Sequence, residues 1–166
     1  MDKLVTVIIP AWNAERWLEN TLRSVLDQSY RQLRVLVIDD GSSDGTAAIL
    51  ERLRREDGRL DYRTVENGGP ALARNRALEL LPEGTDYVMF LDADDLLEPD
   101  AVEYALRTAQ GAELVIFGFS IQQPDGTLLP YCEKEELLEA KTPALLSNRD
   151  GYLLELTGWT QGSQAS

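Results

Sequence analysis

The sequence predicts an α/β fold, an open and mostly parallel sheet with flanking helices. Two patterns carry that expectation. Short apolar runs, rich in β-branched residues, alternate with helical stretches four times over, and such alternation packs as parallel strands joined by right-handed crossovers. The residues with unusual chemistry also fall directly after apolar runs, where a Rossmann-like open sheet binds its ligands. At 166 residues with 43% hydrophobic content, the chain is long enough for about one domain with a buried core.

Leu4–Ile9 (LVTVII) reads as a buried first strand stopped by Pro10. Ala11-Trp12-Asn13 links it to a helix over Ala14–Gln28, whose stripe is Trp17, Leu18, Thr21, Leu22, Val25 and Leu26. That stripe places Trp17 in the core, whereas Trp12, at the carboxyl end of a strand, is also suited to packing on a flat ligand. Arg34–Ile38 (RVLVI) is the second strand and runs into Asp39-Asp40-Gly41-Ser42-Ser43-Asp44-Gly45-Thr46. Gly41 and Gly45 permit tight turns, and Ser43 or Asp44 can cap the following helix, which extends to about Glu56. Two successive aspartates directly after an apolar strand exceed what a turn and a cap need.

Leu60–Val65 is a shorter third strand, Glu66–Pro70 a loop, and Ala71–Leu81 a helix carrying Arg74. Tyr87–Leu91 is a buried fourth strand ending in Asp92, Asp94 and Asp95, with a helix over Pro99–Ala109. Glu113–Ser120 is a fifth strand, Gln122–Gly126 a turn, and Thr127–Tyr131 can pair back as a hairpin. Glu133–Glu139 reads as a solvated surface helix and Pro143–Leu156 as a last helix. Residues 1–156 are expected to form a single domain, and the polar, patternless Thr157–Ser166 a frayed tail.

Composition removes several functions. Net charge is −13, from 16 basic and 29 acidic residues, which argues against nucleic acid and anionic membrane surfaces as main partners. There is no histidine, so Ser-His-Asp and Cys-His catalysis and His-ligated metals are excluded. Cys132 is the sole cysteine, which excludes an internal disulfide. The amino terminus does not read as a signal peptide and there is no 18-residue apolar run, so a cytoplasmic location without a transmembrane segment is expected. Neither GxxxxGK[ST] nor GxGxxG occurs.

If the first strand lies between the second and fourth, Asp39-Asp40 and Asp92–Asp95 flank a single crevice. Clustered carboxylates at a sheet rim are costly unless neutralised, and a hard divalent cation such as Mg²⁺ or Mn²⁺ does so through oxygen ligands. A solvated acidic turn that caps the next helix explains the cluster alone equally well. An acidic site with few bases would hold a diphosphate through that cation, which stabilises charge on a leaving diphosphate.

VTVIIPAWNAERWLENTLRSVLDQSY, LRVLVIDDGSSDGT, NGGPALARNRAL and YVMFLDADD, in that order and at these spacings, closely resemble the N-terminal half of family 2 glycosyltransferases over roughly residues 4 to 119. The resemblance implies the GT-A fold and an inverting transfer from a nucleotide-sugar donor, usually a UDP-sugar, with Mn²⁺ or Mg²⁺, to a saccharide or lipid-linked acceptor. It places Pro10, Trp12 and Asn13 around the nucleoside, with Trp12 where the family more often has Tyr. It puts Asp40 on the base with Asp39 beside it, Asp92 at the ribose or metal, Asp94 as principal metal ligand, and Asp95 and Arg74 nearby. Cell-envelope polysaccharide assembly is the family-level expectation.

The Glu-Asp base and Gln-x-x-Arg-Trp stretch of the family's later half do not occur after the donor motifs; Glu56-Asp57 falls at the end of the second helix. The chain is therefore expected to be the donor-binding part, C-terminally truncated, and lacking a general base lowers transfer by roughly two to four orders of magnitude. The alternative is a catalytically inactive nucleotide-binding remnant. A nucleotidyltransferase would need a basic Gly-rich loop where AWNAERW stands, and a phospho-acceptor receiver would need a late-strand lysine that Lys3, Lys134 and Lys141 do not provide. Self-association remains open, since surface left by a missing half would be apolar.

Overall fold

The computed structural model describes residues 3–109, 114–117, 119–123, 125–131, 146–148 and 151–154. The chain divides into two compact units, Met1–Val102 and Glu103–Ser166.

In the first unit, β1 (Val5–Ala11), β2 (Leu33–Asp39), β3 (Leu60–Thr64) and β4 (Tyr87–Phe90) form one sheet in the order β3-β2-β1-β4. Every pairing in it is parallel. The connections are α1 (Leu18–Leu26), α2 (Thr46–Glu56) and α3 (Pro70–Glu79). β1 lies between β2 and β4, so the arrangement that brings both aspartate pairs to one crevice is the one observed.

Alternation along β1 sends Val7 and Ile9 to one face and Ile8 to the other, and all three are fully buried. The first face packs with Val35 and Val37 of β2 against Leu18, Leu22 and Val25 of α1 and Leu50 and Leu53 of α2. The second packs Ile8, Leu36 and Ile38 against Ala73 and Ala77 of α3. A sheet covered on both faces explains why β1 and β2 are almost continuously apolar. Each large buried aliphatic side chain stabilises the fold by about 1.5–3 kcal/mol.

Several boundaries differ from expectation for identifiable reasons. β1 continues through Pro10, paired with Ile38. Ile8 accepts from Leu91 N–H on the β4 side and Ala11 accepts from Asp40 N–H on the β2 side. By alternation, the missing N–H of Pro10 faces the β4 side, beyond the last β4 pair, Ile8–Phe90, so no ladder bond is lost. α1 begins at Leu18, and Ala14–Trp17 is a preceding turn closed by Trp17 N–H on Ala14 C=O. Trp17 therefore leaves the stripe: it is 45% exposed, not core, and carries the Arg16 guanidinium over its ring at 4.2 Å. β4 is half-buried rather than buried, because among the described residues it is the sheet's edge strand; Phe90 is 48% exposed.

α4 (Ala101–Ala109) follows β4. In the second unit the expected fifth strand is two strands, β5 (Leu114–Phe117) and β6 (Phe119–Gln122). β6 pairs antiparallel with β7 (Leu128–Tyr131), the expected hairpin, while β5 joins another sheet. The helix expected over Pro143–Leu156 is replaced by β8 (Leu146–Asn148) and β9 (Gly151–Leu154), in a sheet ordered β5-β9-β8. β8 and β9 pair antiparallel with Asn148 opposite Gly151, a sheet pairing that overrides the weak helical period. The helix expected at Glu133–Glu139 and the tail Thr157–Ser166 lie outside the described residues. Among the described residues no helix is long and apolar enough to cross a membrane.

Candidate functional site

β2 delivers Asp39 and Asp40 to the carboxyl edge of the sheet, and their environments divide their roles. Asp39 is fully buried; its Oδ1 accepts from Ser42 N–H (3.0 Å) and its Oδ2 from the Thr64 hydroxyl (3.0 Å). It ties the β2–α2 turn to β3 and is directed away from the crevice. The carboxylate of Asp40 accepts from Gly68 N–H (2.9 Å) and Gly69 N–H (2.7 Å), just ahead of α3. Asn67 Nδ2 closes the same loop on the Asp40 carbonyl at 2.9 Å. Gly41 adopts φ +71, and a Cβ there would stand 3.1 Å from Asn67 N, so this close approach requires glycine.

Asp40 opens onto a pocket of about 280 Å³. Pro10, Ala11 and Trp12 from the end of β1 form one wall; Asn67, Gly69 and Pro70 form the other. Trp12, 61% exposed, presents a large aromatic face there. Asn13 is not part of this lining. It sits at φ +48, a backbone region Asn tolerates, and its Oδ1 accepts from Ser43 N–H at 2.8 Å. The pocket thus unites Pro10, Trp12 and Asp40 of the sequence-derived set and adds Asn67, Gly69 and Pro70, which composition marked only as a loop.

The β1–α1 and β2–α2 loops are stitched together in both directions. Backbone N–H groups of Asn13, Ala14 and Glu15 donate to Ser42 Oγ (2.9 Å), Thr46 Oγ1 (2.9 Å) and Asp44 Oδ2 (3.0 Å). In return Ser43 N–H donates to Asn13 and Gly45 N–H to Glu15 Oε2 (2.9 Å). Asp44 also accepts from Thr46 N–H at 3.0 Å, but the N-cap of α2 is Gly45, which has no side chain to cap the helix, so neither Ser43 nor Asp44 takes the expected N-cap position. Burial pushes the Asp44 carboxyl up, but its hydrogen bonds from Thr46 and Glu15 outweigh this and hold it below the ordinary value.

After β4, Asp92, Asp94 and Asp95 lie on an exposed loop. α1, with Gln28 just past its end, holds that loop with polar side chains. Thr21 Oγ1 donates to Ala93 C=O (2.8 Å), Ser24 Oγ accepts from Leu97 N–H (3.1 Å), and Gln28 Nε2 donates to Glu98 C=O (2.6 Å). Gln28 Oε1 accepts from Val102 N–H at 3.0 Å, and both Thr21 and Gln28 are fully buried. These three residues were not foreseen as part of the site; their signal is hydroxyl and amide groups interrupting an apolar stripe. Arg74 reaches from α3 to form an ion pair with Asp92. Burial, then the neighbouring Asp94 and Asp92 charges, raises the Asp95 carboxyl above its ordinary value.

The donor set here, carboxylate oxygens only, is that of a hard divalent cation. Among the described residues no three acidic side chains converge closely enough to hold one unaided. Asp94 makes no hydrogen bond or ion pair among the described residues, and Asp92 is engaged by Arg74. Asp94 and Asp92 are the carboxylates on this loop that could contribute to the shell of such an ion.

A sheet ordered β3-β2-β1-β4, with an aromatic-walled pocket and an acidic loop at one edge, agrees with the comparisons. The sequence model of Glycosyl transferase family 2 matches residues 6–156. The chain belongs to this family. It is 40% identical over 129 residues to TuaG of Bacillus subtilis, a glycosyltransferase named provisionally for teichuronic acid biosynthesis, covering 76% of this chain and 50% of TuaG. Among solved structures, S. aureus TarS in complex with UDP matches with TM-score 0.58 and 29% identity, over 64% of this chain and 32% of that one. The mannosyltransferase PcManGT of Pyrobaculum calidifontis, in complex with GDP-Man and Mn²⁺, matches with TM-score 0.61 and 28% identity, over 75% and 37%. The chain thus spans about half the length of TuaG and about a third of those two structures. The expected GT-A architecture, a mostly parallel open sheet with flanking helices, is the one observed and the one these solved glycosyltransferases match.

Proposed function

We propose that this family 2 glycosyltransferase chain binds a nucleotide-sugar donor across the carboxyl ends of β1, β2 and β4 for inverting transfer to a saccharide or lipid-linked acceptor. One observation carries the reading: the pocket bearing Trp12 and Asp40 and the Asp92–Asp95 loop occupy the same sheet edge, on either side of β1. Trp12 and Pro10 supply apolar surface for the nucleoside, and Asp40, held by Gly68 and Gly69, accepts a hydrogen bond from the base. Asn13 and Asp39 serve the same end by fixing the loops that carry Trp12 and Asp40.

Asp94, with Asp92 and Asp95 beside it, would hold a divalent cation, Mn²⁺ or Mg²⁺, which when bound offsets the charge of the leaving diphosphate. Arg74 brings a second positive charge to that end. In the transfer, the acceptor hydroxyl oxygen forms a bond to the anomeric carbon as its bond to the diphosphate oxygen breaks. The hydroxyl proton passes to water, since no general base follows the donor motifs, and the configuration inverts. TarS with UDP and PcManGT with GDP-Man support a pyrophosphate nucleotide in this position and leave uracil and guanine as the two bases to test.

Thermal unfolding with UDP or GDP, each with and without Mn²⁺, tests the reading. A ligand at a hundred times its dissociation constant stabilises by about 2.7 kcal/mol. The expected result is a nucleotide shift enlarged by Mn²⁺, with the Mn²⁺ increment lost in Asp94→Asn. No shift with either nucleotide would overturn it.

A further inference from the structure

The stitched loops have a geometric consequence beyond fold stability. Trp12 begins the β1–α1 loop and Asp40 begins the β2–α2 loop, so whatever fixes one loop against the other fixes Trp12 against Asp40, which in turn holds the opposite wall through Gly68 and Gly69. Glu15 occupies the far end of that junction. Its Oε2 accepts the Gly45 N–H at 2.9 Å, at the start of α2, while its own N–H donates to Asp44. The fit is close: a Cβ on Gly45 would stand 2.7 Å from Glu15 Cδ. A negative side chain at the first turn of α2 is also favoured by the helix dipole. Glu15 is not among the residues that line the pocket.

We propose that Glu15 is a positioning residue for nucleoside binding, holding the Trp12 wall at its working distance from Asp40 through the Gly45 N–H. This rests on the nucleotide-site reading above. Because the contact lies at the nucleoside end, its effect belongs to the nucleoside portion of the ligand and not to the cation.

The test is calorimetric binding of whichever of UDP or GDP the wild-type chain takes, with Mn²⁺, and of the matching monophosphate without metal. Mn²⁺ affinity without nucleotide is read separately by electron paramagnetic resonance. Glu15→Ala is expected to weaken diphosphate and monophosphate alike by about five- to tenfold, the equivalent of roughly one hydrogen bond, with Mn²⁺ affinity unchanged. Glu15→Gln keeps an oxygen acceptor for Gly45 N–H and should stay within about twofold of wild type. Gly45→Ala displaces the same carboxylate from the other loop, so it should mimic Glu15→Ala, and the double variant should be less than additive. Gly45→Ala also carries the test if Glu15→Ala fails to fold. Lower melting temperature with unchanged nucleotide affinity would overturn the proposal, as would a loss confined to Mn²⁺. No wild-type binding to either nucleotide would overturn the donor-site reading and this inference with it.

Discussion

Asp39 and Asp40 are adjacent, identical and both almost fully buried, yet they face different tasks. Asp39 spends its oxygens on Ser42 and Thr64, within the scaffold. Removing that carboxylate in Asp39→Ala orphans two donors, at roughly 1–3 kcal/mol for each that water cannot reach. Urea denaturation should therefore show a clear loss of stability, with a smaller loss of nucleotide affinity on the folded variant than Asp40→Asn causes. Asp40→Asn should do the reverse: its amide oxygen still accepts one glycine N–H, so stability falls modestly, but the base loses its carboxylate acceptor and affinity should fall at least tenfold. If the two variants lose affinity equally, this division of labour is wrong. The sequence showed that two aspartates exceeded a cap, but not which faced inward, because that depends on the pleat of β2 and on Thr64 arriving from a strand 25 residues later.

At the scale of elements, the strands and helices with continuous or strongly periodic apolar patterns, β1, α1, β2 and α2, were legible because burial on two faces or one stripe leaves a mark in composition. Elements whose form depends on distant partners were not. Trp17 satisfied the helical period, but the helix starts at Leu18, four residues later than expected, and the turn before it puts the ring outside. β8 and β9 are short, and the strand that pairs with β9, β5, lies 34 to 40 residues earlier, so local propensity carried little trace of the sheet. One junction gives a pH-dependent test. Asp57, at the end of α2, is held by the Arg59 guanidinium at 2.7 Å, while Arg59 also donates to Leu26 C=O at the end of α1. The Arg59 hydrogen bond, opposed in part by burial, keeps the Asp57 carboxyl below its ordinary value. A carboxyl lowered on folding contributes stability in full above its unfolded value, about 3.9, and loses it as pH falls through the lower folded value. Asp57→Asn should therefore lower the melting temperature at neutral pH and flatten its decline below about pH 4. An unchanged acid limb would show that the pair contributes nothing.

For the molecule as a whole, sheet order decides what the motifs mean. The acidic pairs are about fifty residues apart in sequence, and only the placement of β1 between β2 and β4 brings them to one edge. That placement followed as a condition from the crossover rule, and the observed order meets it. The interior of the site was less visible: Thr21 and Ser24 of α1, with Gln28 just past its end, brace the acidic loop from a stretch that reads as an ordinary amphipathic helix, and Asn67 enters the pocket from a stretch whose Gly and Pro content marks it as a loop without saying what it lines. The central claim is that nucleotide and cation meet at this edge. Amide NMR of the chain with nucleotide, comparing Mn²⁺ with Mg²⁺, tests it most directly, since Mn²⁺ broadens the signals nearest to it. The account predicts nucleotide-dependent broadening centred on Asp92–Asp95, reaching Arg74 and the Trp12–Asp40 pocket, and leaving Val5, Leu33 and Tyr87 at the opposite edge sharp. Broadening centred elsewhere, or none when nucleotide is present, would contradict it.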